Sequence, residues 1–328
     1  MKTMTRIGSL LLLGVLLPLY AKDGRGLRTV KIQTHDGGEM RLYEGSYALV
    51  IGVSEYSDPA WPDLETVPGE VRKVSRAFEQ QGFEVRQVMN PDKKTLEEAL
   101  EGFVEDHGYQ KENRLLIYFA GHGHSDGGKG FLVPSDAPDP AKDAADFKRK
   151  ALFMNDILNQ CRKMAAKHAL FLFDSCFSGT VFQSRDRWKA PPKHIATRVG
   201  RPVRQFISAG SAQEAVPSKS VFAPTLVRGL EGDADLNKDG YITGQELGVF
   251  LHDEVVHYEK GQTPQYGKIK DPELDQGDFV FEVRQVAKRA SVDEPEPATR
   301  QVREVPESEE VSAEPPDWWS EEGEAPSG

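Results

Sequence analysis

The stretch ALFLFDSCFSG, residues Ala169–Gly179, decides how the rest of the chain is read. Its opening residues, Ala169 to Phe173, are apolar without interruption, the pattern of a strand buried on both faces of a parallel sheet. The run stops on Asp174, Ser175 and Cys176, and Phe177, Ser178 and Gly179 turn the chain away. A cysteine where a buried parallel strand gives out lies at the carboxyl edge of the sheet, where open α/β folds place their sites. One free cysteine is often only a buried structural residue, so the reading depends on a second stretch. That stretch is RLLIYFAGHGH, Arg114–His124, another apolar strand, which ends in the glycine-framed His122. A Cys and a His on two neighbouring strand ends supply a thiol nucleophile and a base to activate it.

Outward from these two stretches, strands alternate with helices. Strands are expected at Tyr47–Val53, Phe83–Met89, Arg114–Ala120, in the Cys176 segment, at Arg204–Ala209 and at Asp278–Val283, the last closing the sheet. Helices are expected at Val67–Gln81 (ended by Gly82), Lys94–Val104, Asn155–Ala166, Ala223–Leu230 and Gly244–His257. Phe131–Asp136 begins extended and turns at Pro134, and Leu27–Glu44 reads as a small hairpin turning at Asp36-Gly37-Gly38. The class is α/β, with a mostly parallel sheet of about six strands.

The chain has 328 residues and a formal net charge of -11. From Ser291 to Gly328 there are 12 acidic residues against 2 arginines, so the acidity belongs to a tail and the remainder is near neutral. No clustered basic face suggests a nucleic-acid partner. The tail is rich in Pro, Glu and Ser and cannot bury enough apolar surface to offset its ordering entropy, so it is expected to be disordered. Trp318-Trp319 is its single apolar spot; a solvated tail is the favoured reading, a docking arm for a partner the sharper one. At the other end, Lys2 and Arg6 precede the apolar Ile7–Tyr20, with Ala21 as a cleavage point. This is the pattern of an export signal, with an uncleaved membrane anchor through residues 1–21 as the alternative. The expected location is therefore periplasmic or secreted. The two cysteines, Cys161 and Cys176, are not expected to pair. Cys161 shares helical spacing with Ile157 and Met164 and reads as a buried thiol on the inner face of a helix.

The chemistry that a Cys–His pair can run is acyl transfer. The imidazole of His122 takes the thiol proton and later gives it to the leaving amine. Backbone amides of Gly123 and Cys176 are candidate oxyanion donors, since glycine lets the backbone approach closely. The bland alternative makes Cys176 a structural thiol and the glycines a tight turn.

The two strand ends, YFAGHG (Tyr118–Gly123) and FDSCFSG (Phe173–Gly179), resemble the His and Cys motifs of the caspase-like cysteine peptidases, most closely the bacterial and metacaspase branch. Cys176 lies 54 residues after His122, near the separation usual in caspases. IGVSEY (Ile51–Tyr56), FLVPSDA (Phe131–Ala137) and QFISAGSAQE (Gln205–Glu214) support the likeness, which runs from about Tyr47 to Val283. It implies a three-layer α/β/α fold, a protein or peptide substrate, and no cofactor for the chemistry. It makes His122, between the glycines, the catalytic histidine, and His124 a rim residue. True caspases carry Gln-Ala-Cys where this chain has Asp174-Ser175-Cys176. In the metacaspase-like branch that Asp lines the primary specificity pocket, which implies a preference for Arg or Lys before the scissile bond. The family's second pocket acid falls at Glu70. The basic stretch Ser184–Arg201 resembles the family's processing linker and implies self-cleavage there. The domain plan is a leader or anchor at 1–21, an extension at 22–45, the catalytic domain at 46–285 and the tail at 286–328.

A further motif, Asp235-x-Asn237-x-Asp239-Gly240-Tyr241-Ile242-Thr243-x-x-Glu246, fits the twelve-residue EF-hand loop. Asp235, Asn237, Asp239 and Glu246 would offer side-chain oxygens to Ca2+, Tyr241 a backbone carbonyl, and Gly240 the sharp turn. The opposing reading is an Asx-rich turn leading into a helix N-cap. Two functions compete with an endopeptidase: an inactive caspase-like interaction module, and a calcium-binding surface protein whose thiol is incidental.

Overall fold

The computed structural model describes residues 31–33, 39–176, 183–184, 199–211, 220–258 and 262–283. The leader, the hairpin turn at 36–38, most of the basic stretch at 185–198 and the acidic tail lie outside the described residues. In chain order, β1 (Lys31–Gln33) and β2 (Glu39–Arg41) pair antiparallel, and β3 (Gly45–Gly52) enters the main sheet. There follow α1 (Val67–Gln80), β4 (Glu84–Met89), α2 (Lys93–His107) and β5 (Asn113–Ala120). A side ribbon is built by β6 (Gly123–Asp126), β7 (Lys129–Leu132) and, after α3 (Ala144–Lys150), β8 (Leu152–Phe153). Then come α4 (Met154–Lys163), β9 (His168–Cys176), the two-residue β10 (Gln183–Ser184) and β11 (Val203–Gly210). The described chain finishes with α5 (Phe222–Arg228), a π turn (Gly229–Asp233), β12 (Tyr241–Thr243), α6 (Gly244–Tyr258), β13 (Gln265–Lys268) and β14 (Val280–Glu282).

The main sheet has seven strands in the order β10-β13-β11-β9-β5-β3-β4. From β4 to β11 neighbouring strands run parallel, and β13 and β10 are antiparallel at the edge. Side-chain alternation sorts the residues between two layers. Leu116, Tyr118 and Ala120 of β5, with Leu170 and Leu172 of β9, pack under α1, α5 and α6. Leu115, Ile117 and Phe119, with Ala169, Phe171 and Phe173, pack under α2 and α4. Both faces are covered, which is why these strands read as unbroken apolar runs. The architecture is the expected three-layer α/β/α.

Two buried arginines tie helix ends to the sheet. Arg204 on β11 donates to the carbonyls of Cys161 (3.1 Å) and Met164 (2.7 Å), satisfying the open C-terminus of α4. That cap stops the helix at Lys163, short of the expected Ala166. Arg114 on β5 donates to Ser46 (2.9 Å) and to the Gln81 carbonyl at the end of α1 (3.0 Å), with its guanidinium 4.2 Å from the Phe83 ring centroid.

The sequence reading is corrected in two places. Asp278–Val283 does not close the main sheet; Val280–Glu282 pairs with Tyr241–Thr243 in a separate ribbon, and Gln265–Lys268 takes the edge position. Gln205 holds the preceding segment beside the sheet, accepting from the Phe279 amide at 2.7 Å and donating to Asp278 at 2.6 Å. The helix expected at Ala223–Leu230 gives way after Arg228 to the π turn, in which Gly232 takes φ 130°. Cys161 is free and fully buried, as expected.

Candidate active site

The register of two neighbouring strands builds the site. Parallel β5 and β9 run level, with Ala120 opposite Asp174. His122 and Cys176 each stand two residues past that pair, so the backbone brings both to the carboxyl edge of the sheet at the same height. The Gly121 amide, 3.4 Å from the Asp174 carbonyl, extends the contact one step beyond the paired strands. Gly121 is needed by close approach: a Cβ there would lie 2.9 Å from the Tyr56 hydroxyl. That hydroxyl accepts the His122 amide at 2.8 Å and fixes the backbone of the histidine.

The His122 ring is held on several sides. Its Nε2 lies 2.8 Å from the Pro62 carbonyl, which can only accept, so Nε2 carries the proton and Nδ1 keeps the lone pair. Tyr56 and Trp61 flank it, with centroids 4.8 and 5.6 Å away. Burial pushes the imidazole below its ordinary pKa, and the Pro62 carbonyl works against that. A neutral ring with a free nitrogen is the form a general base needs at neutral pH. His124 lies in β6 with its ring against Phe147 (4.9 Å) and against Trp61 (6.0 Å), the tryptophan that also flanks His122.

Gly123 starts the side ribbon. The Val133 amide donates to the His122 carbonyl at 3.0 Å, which makes Gly123 and Leu132 a non-hydrogen-bonded pair of the antiparallel ladder. The Gly123 N–H therefore points away from β7, as an oxyanion donor must.

Asp174 follows the alternation of Leu170 and Leu172 and faces the α1/α5 layer. It is buried. Its Oδ2 accepts from Tyr118 Oη (3.1 Å) and from Ser220 Oγ (2.6 Å), while Oδ1 has no hydrogen-bond partner among the described residues. Burial pushes the carboxyl up to about 7; the Glu70 charge adds to this, and the Ser220 and Tyr118 hydrogen bonds oppose it. Glu70, in the first turn of α1, is raised chiefly by burial, with bonds from Thr66 and the Ser220 amide acting against it. A cleft of about 390 Å³ opens here, lined by Glu65, Glu70, Ser220 and Pro224 and also by the basic Arg72 and Lys73. Glu70 is thus on the wall and Asp174 stands directly behind Ser220. The sequence reading named both acids but not Ser220, Tyr118, Tyr56, Trp61 or the Pro62 carbonyl. Tyr118 alone left a signal there, as a polar tip in an otherwise apolar strand.

The EF-hand-like residues occupy a loop between the π turn and α6. Asp235 accepts the amides of Asp239 (3.1 Å) and Gly240 (3.0 Å), Asn237 that of Asp239 (2.8 Å), and Asp239 that of Tyr241 (3.0 Å). Gly240 takes φ 88°, the left-handed value its type permits. These oxygens are turned onto the loop's own amides. Among the described residues, no three His, Cys, Asp or Glu side chains are arranged to hold a metal ion.

Comparison with known proteins sets this geometry in a family. A family model described as "Caspase domain" matches residues 46–289. Mucosa-associated lymphoid tissue lymphoma translocation protein 1 from Homo sapiens is 27% identical over 137 residues, 41% of this chain and 15% of that protein. Its Mus musculus homolog matches to the same extent. The chain thus spans only a small part of the length of these curated relatives. Among solved structures, protein GSU0716 from Geobacter sulfurreducens aligns with TM-score 0.45 at 16% identity, covering 71% of this chain and 97% of that one. The family match covers most of the chain, including both strand ends, the cleft and the sheet that positions them, and the chain belongs to the caspase domain family.

Proposed function

We propose that the protein is a cysteine endopeptidase that cleaves peptide bonds after Arg or Lys. The observation that carries this is the level register of β5 and β9, which brings His122 and Cys176 to adjacent strand ends. His122 Nδ1 takes the Cys176 thiol proton, and the thiolate adds to the scissile carbonyl. The amides of Gly123 and Cys176 stabilise the tetrahedral oxyanion. As it collapses, the C–N bond breaks and His122 returns the proton to the leaving amine. Water, deprotonated by His122, then hydrolyses the thioester, releases the carboxylic acid and restores the thiol. Pro62 and Tyr56 keep the imidazole in the required tautomer and place.

Glu65 and Glu70 on the cleft lining, beside Arg72 and Lys73, support the specificity. Glu70 meets the substrate cation directly, and the orphaned Oδ1 of Asp174 is offered to it behind Ser220. Arg185, Arg187, Lys189, Lys193 and Arg198 are substrates of the same kind within the chain, and we extend the proposal to self-processing in that stretch.

The test is turnover of fluorogenic peptides ending in Arg, Lys or Asp, with Cys176→Ala as control. Turnover after Arg or Lys that vanishes in the variant is expected, together with nicking between 184 and 201 only in the active protein. Cleavage after Asp would refute the pocket assignment. A folded protein without turnover, even after limited nicking, would refute the peptidase itself.

A further inference from the structure

Glu246 is the residue that the catalytic account leaves unexplained. It sits one turn into α6 and is 1% exposed. Its Oε2 accepts from the Thr243 amide (2.9 Å) and hydroxyl (2.8 Å), and its own amide donates to Thr243 Oγ1 (3.1 Å). This is a capping box, and it accounts for one carboxylate oxygen. The other, Oε1, is buried and has no hydrogen-bond partner among the described residues. A capping box at a helix start does not require a buried, unsatisfied oxygen, and such an oxygen on an ionised group is costly. A cation beside it removes that cost.

The surroundings select the kind of cation. Asp235, Asn237 and Asp239 offer oxygens, each already aligned by a backbone amide of the loop. Lys238 and Gly240 are both at positive φ, 61° and 88°, which curls the loop. All of the donors are oxygens from one twelve-residue segment, with no imidazole or thiolate among them. That set suits a large, hard ion with variable coordination and excludes a preference for zinc. We propose that the loop Asp235–Glu246 binds one calcium ion, through side-chain oxygens of Asp235, Asn237, Asp239 and Glu246 and the backbone carbonyl of Tyr241. Binding would draw the loop's acids together, since among the described residues no three of them converge in this arrangement.

The loop is linked to the specificity cleft. Ser220, which donates to Asp174, also accepts the Ala223 amide at the start of α5 (3.1 Å). From α5 the chain passes through the π turn directly into Asp235, whose amide closes on the Gly232 carbonyl at 3.1 Å. Arg228 at the end of α5 pairs with Glu254 on α6. An ion that fixes the loop fixes the corner between α5 and α6, and with it the seat of Ser220.

The experiment uses the whole chain carrying Cys176→Ala, and terbium as the probe, excited through Tyr241. Sensitised emission that Ca2+ displaces and equimolar Mg2+ does not is expected. Glu246→Gln and the exposed Asp239→Asn should each weaken terbium binding on the order of tenfold or more, and Tyr241→Phe should dim the emission without weakening calcium binding. Calcium should also raise the melting temperature of the parent chain, and much less that of either ligand variant. Circular dichroism identifies any variant that has not folded, and Asp239→Asn carries the test if Glu246→Gln fails to fold. No emission and no calcium-dependent melting shift in a folded chain overturns the proposal. Emission unchanged in all three variants also overturns it, because the ion then resides elsewhere, with the acidic tail and its Trp318-Trp319 the obvious seat. These readouts do not depend on proteolysis, so they stand or fall separately from the peptidase reading.

Discussion

Carboxylates gather at the specificity cleft and at the Asp235–Glu246 loop, and each place leaves one buried oxygen without a donor among the described residues: Oδ1 of Asp174 and Oε1 of Glu246. Their settings differ. Asp174 is held by side-chain hydroxyls from two distant elements, Tyr118 on β5 and Ser220 before α5, at the back of an open cleft. Glu246 belongs to a single short loop whose acids are aligned by their own backbone amides. A cleft with Glu70 on its wall and Asp174 behind Ser220 fits a long side chain that carries its charge at the tip. A tight loop with oxygens on all sides fits a bare ion. On the two proposals, the same functional group would recognise an organic or an inorganic cation according to whether tertiary or local structure arranges it.

The largest expected effect separates the two. Asp174→Asn should lower kcat/KM for Arg peptides by roughly 2–5 kcal/mol, about thirtyfold or more, because a buried charge loses its partner. Calcium affinity should stay unchanged. Equal loss at both places would break the distinction. The same variant should be more stable than the parent at alkaline pH. The Asp174 carboxyl is raised in the folded state from 3.8 to about 7, so the folded protein binds the extra proton between those values. Its contribution to stability is therefore greatest in acid and is lost as pH rises from about 4 to 7, by at most on the order of 4 kcal/mol. Melting temperatures across that range should fall in the parent and stay flatter in Asp174→Asn. Over the same range KM for Arg peptides should fall, since the anion binds the cation.

Glu70→Gln comes next. Glu70 is on the wall and less enclosed, so about a tenfold loss on Arg and Lys peptides is expected, in KM more than kcat. A loss larger than that of Asp174→Asn would make Glu70 the principal acid. Tyr118→Phe is the smallest. It removes one hydrogen bond to Asp174, worth about 0.5–1.5 kcal/mol, and should move the pH dependence of KM upward by up to about one unit. An unmoved profile would show that Tyr118 does not tune the acid.

What could be read beforehand follows the same division between local and tertiary order. The strands ending at His122 and Cys176 were legible because burial on both faces forces a continuous apolar run. The loop at Asp235–Glu246 was legible because its pattern is contained within twelve residues. The edge strand Gln265–Lys268 was not, since an edge strand needs no such run, and the alternating phenylalanines of Asp278–Val283 drew the reading to the wrong place. The support around His122 was also hidden. Pro62 acts through a backbone carbonyl that any residue would possess, and Ser220 matters only because α5 folds back over β9.

The burial of Cys161 has a kinetic consequence. Its thiol is fully enclosed between α4 and the sheet and pushed up to about 12, chiefly by burial. A thiol reagent can therefore modify it only during moments when that layer lifts away. A chromogenic reagent should give two phases on the native protein: a rapid one from the proposed nucleophile, whose amplitude counts competent sites, and a slow one from Cys161. When reclosing is fast, the slow rate divided by that of the unfolded thiol is the opening equilibrium constant. One absorbance trace would then report how many molecules can react and how firmly the scaffold beneath them is shut.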